Sequence, residues 1–165
     1  MSEIEIPNFR FALNDGLDSS FLPTRGTEKS TGWDVRSAET VIIHAGDYAK
    51  IDLGFRSLCP PGWWLKLNPR SSSFAKKNLH ALYGVIDEDY EGKMVFACQF
   101  NPSPSEIIPG TQKILSVLKG EALGQLIPVR RQEMTVEQVS NEEFDRLCKE
   151  RSYARGAGGF GSTGK

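Results

Sequence analysis

Acidic residues and a tyrosine are concentrated in residues 84–92, with the sequence GVIDEDYEG. This segment lies between two apolar runs typical of strands, which predicts a hairpin turn. Acids in such a turn often form only a solvated loop. The functional interpretation is that one carboxylate, that of Asp87, orients a water molecule for attack while the ring of Tyr90 packs against a sugar.

A second cluster, PRSSSFA at residues 69–75, combines Arg70 with three hydroxyl groups. A serine N-cap followed by the free amides of a first helical turn forms an anion site, and a neighbouring guanidinium strengthens it. An ordinary capped turn is the alternative, because serine is common where helices begin.

A third cluster, GWDVRSA at residues 32–38, places Asp34 at the start of an apparent strand. Aspartate at such a position commonly forms a turn, and only a fraction of such residues are functional. The segment alone is therefore weak evidence for a site.

The last eleven residues, RGAGGFGSTGK from Arg155 onward, contain too many glycines for a packed element. A linker-like end is one interpretation. The other is a flexible flap that closes on a charged aromatic ligand. Glycine-rich backbone exposes amides to phosphate, arginine supplies a planar fork and phenylalanine a stacking face.

Short strands must position these clusters. Four segments rich in β-branched or aromatic residues predict strands, namely 40–43, 48–55, 63–67 and 93–100. Gly, Pro, Asn and Asp turn signals lie between them. Many short strands with close turns predict an all-β sandwich or jelly-roll-like barrel.

One helix is expected, from about residue 141 to 149. Ser140 followed three positions later by Glu143 is a capping-box pattern. The spacing of Phe144 and Leu147, with Val139 before them, predicts an apolar face that packs on the protein body.

Composition fits one globular domain, with 165 residues, 39% hydrophobic and 25% charged, and 16 Gly and 9 Pro favour turn-rich β structure. The net charge of -1 provides no basic field for nucleic acid, so phosphate recognition should be local. No apolar run reaches the length of a membrane span, and we expect a cytoplasmic protein.

Cysteine and histidine chemistry is poorly supported. Cys59, Cys98 and Cys148 are odd in number and far apart, which favours reduced thiols over a disulfide framework or a zinc site. His44 and His80 are isolated, which argues against a histidine metal cage or a Ser-His-Asp triad.

The clusters and the tail together resemble the five ordered motifs of the dUTPase family. The resemblance runs from about Thr31 to Lys165, with motifs at 31–37, 69–72, 84–92, 120–127 and 155–164. Arg70 and Gly84 are fourteen positions apart, the separation that the family typically keeps between its second and third motifs.

Two motifs depart from the family pattern. The first has Thr31 and Trp33 where Ala and Tyr are usual, and retains Asp34. The fourth has Ala122 where an arginine is expected and Gly124 where alanine is common, and retains Gln125. Extra residues around 102–111 and 133–153 are interpreted as surface insertions that are available to a protein partner.

The resemblance implies a hydrolase that converts dUTP to dUMP and pyrophosphate with Mg²⁺, which limits uracil in DNA and supplies dUMP for dTMP synthesis. Asp87 is then the base that deprotonates the attacking water. Asp34 acts on the metal through water, the ion being held mainly by the triphosphate. The remaining substrate-binding residues are Arg70, Ser71, Ser72, Gly84, Ile86, Tyr90, Gln125, Arg155, Phe160, Gly161, Ser162 and Thr163.

The family likeness also implies positions for the substrate. Uracil lies in a hairpin of residues 81–90, Tyr90 lies beneath the deoxyribose, and Phe160 stacks over uracil when the flap closes. The implied fold is a jelly-roll-like β-barrel domain over residues 1–153 with a flexible flap at 154–165. Three copies form a homotrimer with sites shared between subunits.

Two alternatives remain. A dCTP deaminase shares the fold and the second motif, but Tyr90 and the glycine-rich tail favour the hydrolase. A catalytically silent or dual-role trimer that binds a protein partner is the other, because fold alone does not settle function.

Overall fold

The computed structural model describes residues 6–151, and most of the regular structure in that range is β-strand. Alternation of apolar and polar residues explains this, since a strand points successive side chains to opposite faces. The ten strands are β1 (Arg10–Leu13), β2 (Trp33–Arg36), β3 (Val41–His44), β4 (Tyr48–Leu58), β5 (Trp63–Pro69), β6 (Leu79–Ala81), β7 (Gly84–Ile86), β8 (Lys93–Phe100), β9 (Ile114–Val117) and β10 (Ala122–Arg130).

The strands form two four-stranded sheets and one two-stranded sheet, with antiparallel pairing throughout. One large sheet has the order β1-β4-β8-β6 and the other β2-β10-β5-β7, while β3 pairs with β9. The second sheet brings β2, β5, β7 and β10 side by side. Four of the five family-like motifs lie on these strands or directly after them.

The core contains inward-facing side chains of both large sheets. Ile51, Leu53 and Phe55 alternate along β4, and β8 contributes four residues at the same period, Met94, Phe96, Cys98 and Phe100. Leu67 of β5 and Leu126 of β10 belong to the same buried cluster. Burial of these apolar side chains is the main force that holds the sheets together.

The four strands expected from sequence are present, and β8 has the bounds predicted for it. β4 extends to Leu58 and β5 to Pro69, each beyond its predicted end. The predicted hairpins are wrong. β7 pairs with β5, whereas β8 pairs with β4 and β6, so residues 87–92 connect two sheets. β6 and β7 likewise lie in different sheets, so residues 81–90 form no hairpin.

A five-residue helix, α1 (Ser71–Ala75), follows β5. The predicted serine N-cap is wrong, because Arg70 occupies the cap with extended backbone and makes no capping hydrogen bond. The three serines instead form the first turn of the helix. Ser73 is buried, and its Oγ donates to the carbonyl oxygen of Leu123 at 2.6 Å.

Residues 6–131 form one compact unit that contains every strand, and residues 132–151 belong to a second. The second contains helix α2 (Asn141–Glu150), where the Oγ of Ser140 accepts from the amide of Glu143 at 3.1 Å, as the sequence predicted. Phe144 and Leu147, the residues of the expected apolar face, both lie on this helix, and its packing on the strand unit stays a prediction.

The segment expected as an insertion at 102–111 is a surface loop with one short 3₁₀ turn, Pro104–Glu106. Within residues 6–151, no helix has the length and apolar character needed to span a membrane.

Candidate active site

An ion pair joins the first two sequence clusters. Nη1 of Arg70, directly after β5, donates to Oδ2 of Asp34 on β2 at 2.6 Å. The guanidinium side chain is 37% exposed and the carboxylate side chain 22%. A charge-assisted bond of this length orients Arg70 while leaving part of its fork open to solvent.

Gln125 lies between these two segments, because β10 is the strand between β2 and β5. It is opposite Asp34 on one side and Asn68 on the other. A Cβ added at Gly32 would lie 1.9 Å from Oε1 of Gln125. Glycine at position 32 therefore leaves room for the side-chain amide, a role that the sequence did not reveal.

The unusual Gly124 of the fourth motif has a structural reason. A Cβ there would lie 2.8 Å from the carbonyl oxygen of Asn68 and 3.1 Å from the ring of Phe96. On its other side, β10 has a register shift against β2 between Ala122 and Gly124. Ala122 is opposite Arg36, whose Nη1 donates to the carbonyl oxygen of Gly120 at 3.2 Å.

The two remaining hydroxyls of the second cluster are accessible. Ser71 is exposed and Ser72 half-buried, and both lie in the first turn of α1, where backbone amides have no intrahelical acceptor. Arg70, Ser71 and Ser72 thus follow the end of β5, and Gln125 lies on the neighbouring strand opposite Asp34. This set, which we call the phosphate cluster, presents a guanidinium, hydroxyls and an amide.

The acidic segment lies elsewhere, in the connection from β7 to β8, which we call the acidic loop (residues 87–92). The amide of Tyr90 donates to the carbonyl oxygen of Asp87 at 3.2 Å and closes a turn. The Oη of Tyr90 donates to the carbonyl oxygen of Lys93 at 2.9 Å. Ile86, Asp87 and Tyr90 line a cavity of about 100 Å³. Gly84 lies on β7 opposite Leu67.

Glu88 was not singled out by the sequence, but it fastens the acidic loop. Its Oε2 accepts from the amide of Gly62 at 2.9 Å and from Nη1 of Arg131 at 2.6 Å. These partners are 26 and 43 residues away, so no local pattern predicts them. Trp64, Asp87, Glu88 and Arg131 also line a cavity of about 580 Å³.

The phosphate cluster and the acidic loop lie at opposite ends of β5. Ile86 is opposite Leu65, which places Asp87 beside Trp64, whereas Arg70 follows the other end of the strand. Six residues at a rise of about 3.3 Å separate the two backbones by about 20 Å. The backbones that carry Asp87 and Arg70 are therefore well separated along β5.

The cysteines supply no activated nucleophile in the described core. Cys59 and Cys98 are buried free thiols. Burial raises the pKa of Cys98 to about 11, and burial together with the charge of Glu88 raises the pKa of Cys59. Thiols with raised pKa values stay protonated near neutral pH and react poorly.

Five predicted substrate-binding residues lie outside the described residues: Arg155, Phe160, Gly161, Ser162 and Thr163. The flap predicted for residues 154–165 lies there as well.

Comparison with known sequences gives one consistent family. The dUTPase family profile matches residues 18–164. The deoxyuridine 5'-triphosphate nucleotidohydrolase of Paramecium bursaria Chlorella virus 1 is 31% identical over 148 residues, which is 90% of this chain and 93% of that protein. The enzyme of the same name from Saccharomyces cerevisiae is 32% identical and covers 88% of both chains. Similar proteins from Dictyostelium discoideum and Homo sapiens are named mitochondrial, so family likeness does not assign a compartment.

Solved structures have the same fold. A mutant dUTPase of Staphylococcus bacteriophage 80alpha with dUpNHpp superposes with a TM-score of 0.75 at 23% identity, covering 96% of this chain and 99% of that one. A mutant dUTPase from phage phi11 of S. aureus, described with a structural Mg(II) ion, gives a TM-score of 0.68 at 23% identity, covering 83% and 99%.

Proposed function

The chain belongs to the dUTPase family and hydrolyses dUTP to dUMP and pyrophosphate, and on that premise we propose which of its residues carry the reaction. The observation that carries the proposal is the separation of Asp87 from Arg70 along β5. It divides the site into an acidic loop for the nucleoside and the attacking water, and a phosphate cluster for the triphosphate.

Asp87 is the general base. Its carboxylate is exposed on the acidic loop and lines the same cavity as Ile86 and Tyr90. In this position it takes a proton from a water molecule that attacks the α-phosphorus, and pyrophosphate leaves. Gly84 and Ile86 would place uracil against β7, where backbone groups read its polar edge.

Tyr90 lies beneath the deoxyribose and excludes a ribose 2'-hydroxyl. Its ring is held in one orientation by the bond to Lys93 and by contact with Gly92, where an added Cβ would lie 2.5 Å from Cζ of the ring. A fixed ring is a better steric gate than a mobile one, because it cannot rotate away from an extra hydroxyl.

The triphosphate is held by the phosphate cluster. Arg70, oriented by Asp34, offers a guanidinium fork, Ser71 and Ser72 offer hydroxyls and first-turn amides, and Gln125 offers an amide. Preorganised donors of this kind stabilise the negative charge that accumulates on the phosphate oxygens.

The functional unit is a homotrimer of jelly-roll-like protomers. A water that attacks phosphorus must lie within a few ångströms of both its base and the phosphate-binding groups, and the two sets are about 20 Å apart in one copy. An active site formed between two copies can bring the base of one copy close to the phosphate-binding groups of another. The acidic loop of one copy then faces the phosphate cluster of another.

Mg²⁺ fits this site as a metal held mainly by the triphosphate. Residues 6–151 contain no group of three or more acidic, histidine or cysteine side chains that could hold a metal. Oδ2 of Asp34 is bonded to Arg70, and Oδ1 remains for a metal-bound water, the contact that Mg²⁺ prefers. The bound ion supplies charge neutralisation at the phosphate oxygens.

Residues 155–164 complete the site in this proposal. Arg155, Ser162, Thr163 and the amide of Gly161 contact phosphate, and Phe160 stacks on uracil. The motif RGAGGFGSTG, residues 155–164, supports this role because it combines anion-binding and stacking groups with a glycine-rich backbone.

A second role as a docking surface is proposed for the segment 133–153. The apolar residues Phe144 and Leu147 lie together on one amphipathic helix, α2. Replacing both with serine should leave dUTP hydrolysis intact and abolish binding to any protein that uses this surface.

Release of pyrophosphate from dUTP, dCTP, dTTP and UTP tests the proposed function. We expect hydrolysis of dUTP at least a hundredfold faster than that of the other three, the scale of discrimination by buried polar contacts. Ammonia release from dCTP would instead support the deaminase alternative.

A further inference from the structure

The side chain of Asp87 has no partner of its own in the part of the chain that the structure describes. It makes neither a hydrogen bond nor an ion pair, and it is exposed. The position of its carboxylate therefore depends on the backbone of the acidic loop. Residues 87–92 belong to no strand, so sheet pairing does not hold that backbone either.

The next residue, Glu88, anchors the acidic loop to the rest of the protein. A single oxygen, Oε2, accepts from the amide of Gly62 and from Nη1 of Arg131. Arg131 in turn donates its amide to the carbonyl oxygen of Gly62 at 2.8 Å. Three segments, namely the acidic loop, the β4–β5 turn and the residue after β10, are thus closed into one ring of bonds.

We infer that Glu88 is a positioning residue that sets the place of the Asp87 carboxylate through its bonds to Gly62 and Arg131. The inference rests on the proposed function, in which Asp87 is the base. The Glu88 and Arg131 side chains are 29% and 53% exposed, so the pair adds little to folding stability. A displacement of the base by about 1 Å, in contrast, lowers a rate by up to about a hundredfold.

The split between kcat and KM is the distinguishing measurement. Tyr90, the sugar contact, is fastened separately through Lys93, so loss of the Glu88 bonds should leave substrate binding nearly unchanged. We expect Glu88→Gln to lower kcat for dUTP about tenfold while KM stays within about threefold. A merely structural role would instead lower the thermal midpoint or the fraction of folded enzyme.

Arg131→Gln and the double variant test whether the pair acts as a unit. If it does, Glu88→Gln/Arg131→Gln should have the kcat of the more impaired single variant. Arg131→Gln also keeps the inference testable if Glu88→Gln does not fold, since the bond to Gly62 remains. Asp89→Asn is the matched control, because Asp89 is on the same loop and its side chain makes no bond with the described residues. It should have wild-type kcat.

A kcat within twofold of wild type for folded Glu88→Gln, or an equal loss in Asp89→Asn, would overturn the inference. So would a rise in KM with unchanged kcat. Asp87→Asn in the same panel separates the two proposals. If it is inactive while Glu88→Gln is normal, only the positioning role fails; if it is active, the proposed base itself is wrong.

Discussion

Arg70 and Asp34 are 36 residues apart in the chain, yet Nη1 of the first donates to Oδ2 of the second at 2.6 Å. The bond joins the end of β5 to β2 across Gln125 on β10. It gives Asp34 a role that is independent of any metal, namely orienting the guanidinium that we propose binds the triphosphate.

Asp34→Asn should therefore weaken substrate binding. The amide preserves shape but loses the charge that orients Arg70, and a charge-assisted bond of this kind is worth about 1.5 kcal/mol, or about tenfold in KM. Steady-state kinetics on dUTP at several Mg²⁺ concentrations measures it, with Glu143→Gln, which breaks an exposed ion pair on α2, as control. An increased Mg²⁺ requirement would support the contact through metal-bound water. An unchanged KM together with an unchanged Mg²⁺ requirement would contradict both roles.

Asp87→Asn should remove most turnover while leaving the fold, the assembly and dUTP binding in place. The amide has the shape of the carboxylate but accepts no proton, and a general base contributes about 10² to 10⁴ in rate. Single-turnover hydrolysis together with equilibrium binding of dUTP measures the two effects separately. Near-normal turnover in a folded variant would show that another group is the base.

The sequence predicted four of the ten strands because a high content of β-branched and aromatic residues is a local signal, as the matching bounds of β8 illustrate. It failed where the answer depends on distant partners. Runs on both sides of residues 87–92 looked alike, and nothing local indicated that Ile86 pairs with Leu65 in one sheet while Lys93 begins a strand of the other. The hydrogen bonds of Glu88 could not be predicted either, because their partners are distant in the sequence.

One other error came from treating a residue preference as a fixed position. Serine favours the N-cap, but Arg70 took that place because its amide is bonded to the carbonyl oxygen of Leu123 on β10 and its backbone is extended. The spacing of Phe144 and Leu147 correctly indicated a helix with an apolar face.

Tyr90→Ala should narrow the preference for dUTP over UTP. Without the ring there is space beside the 2' carbon for a hydroxyl, and we expect the ratio of kcat/KM values to fall by about 1–3 kcal/mol of discrimination. Turnover of dUTP should fall too, so the ratio is the diagnostic quantity. Tyr90→Phe is the control: it loses the bond to Lys93 but keeps the ring, and should keep most of the preference.

Deletion of residues 155–165 should leave a folded assembly that hardly hydrolyses dUTP. A glycine-rich tail contributes little to a core, but the proposed phosphate and uracil contacts of Arg155 and Phe160 would be lost. Thermal unfolding and kcat/KM of the truncated protein measure the two properties. Retention of most activity would refute the flap.

Gly124→Ala should destabilise the protein by about 1–3 kcal/mol, the usual cost of overpacking, because the added methyl would press on the carbonyl oxygen of Asn68 and the ring of Phe96. Urea unfolding at one fixed protein concentration measures it. Gly26→Ala is a suitable control, since its methyl would be 3.8 Å from the nearest atom, Oγ of Ser30. Equal stability of the two variants would show that the backbone at Gly124 moves without cost.

The opposite placement of Asp87 and Arg70 on β5 has a genetic consequence in the proposed trimer. A subunit with a defective acidic loop still contributes an intact phosphate cluster to a shared site. A subunit with a defective Arg70 still contributes an intact acidic loop. Two null alleles expressed in one cell would therefore complement each other, because some mixed trimers contain a site made from the intact half of each. A subunit with both parts defective should instead inactivate the sites that it shares with intact subunits in a mixed trimer.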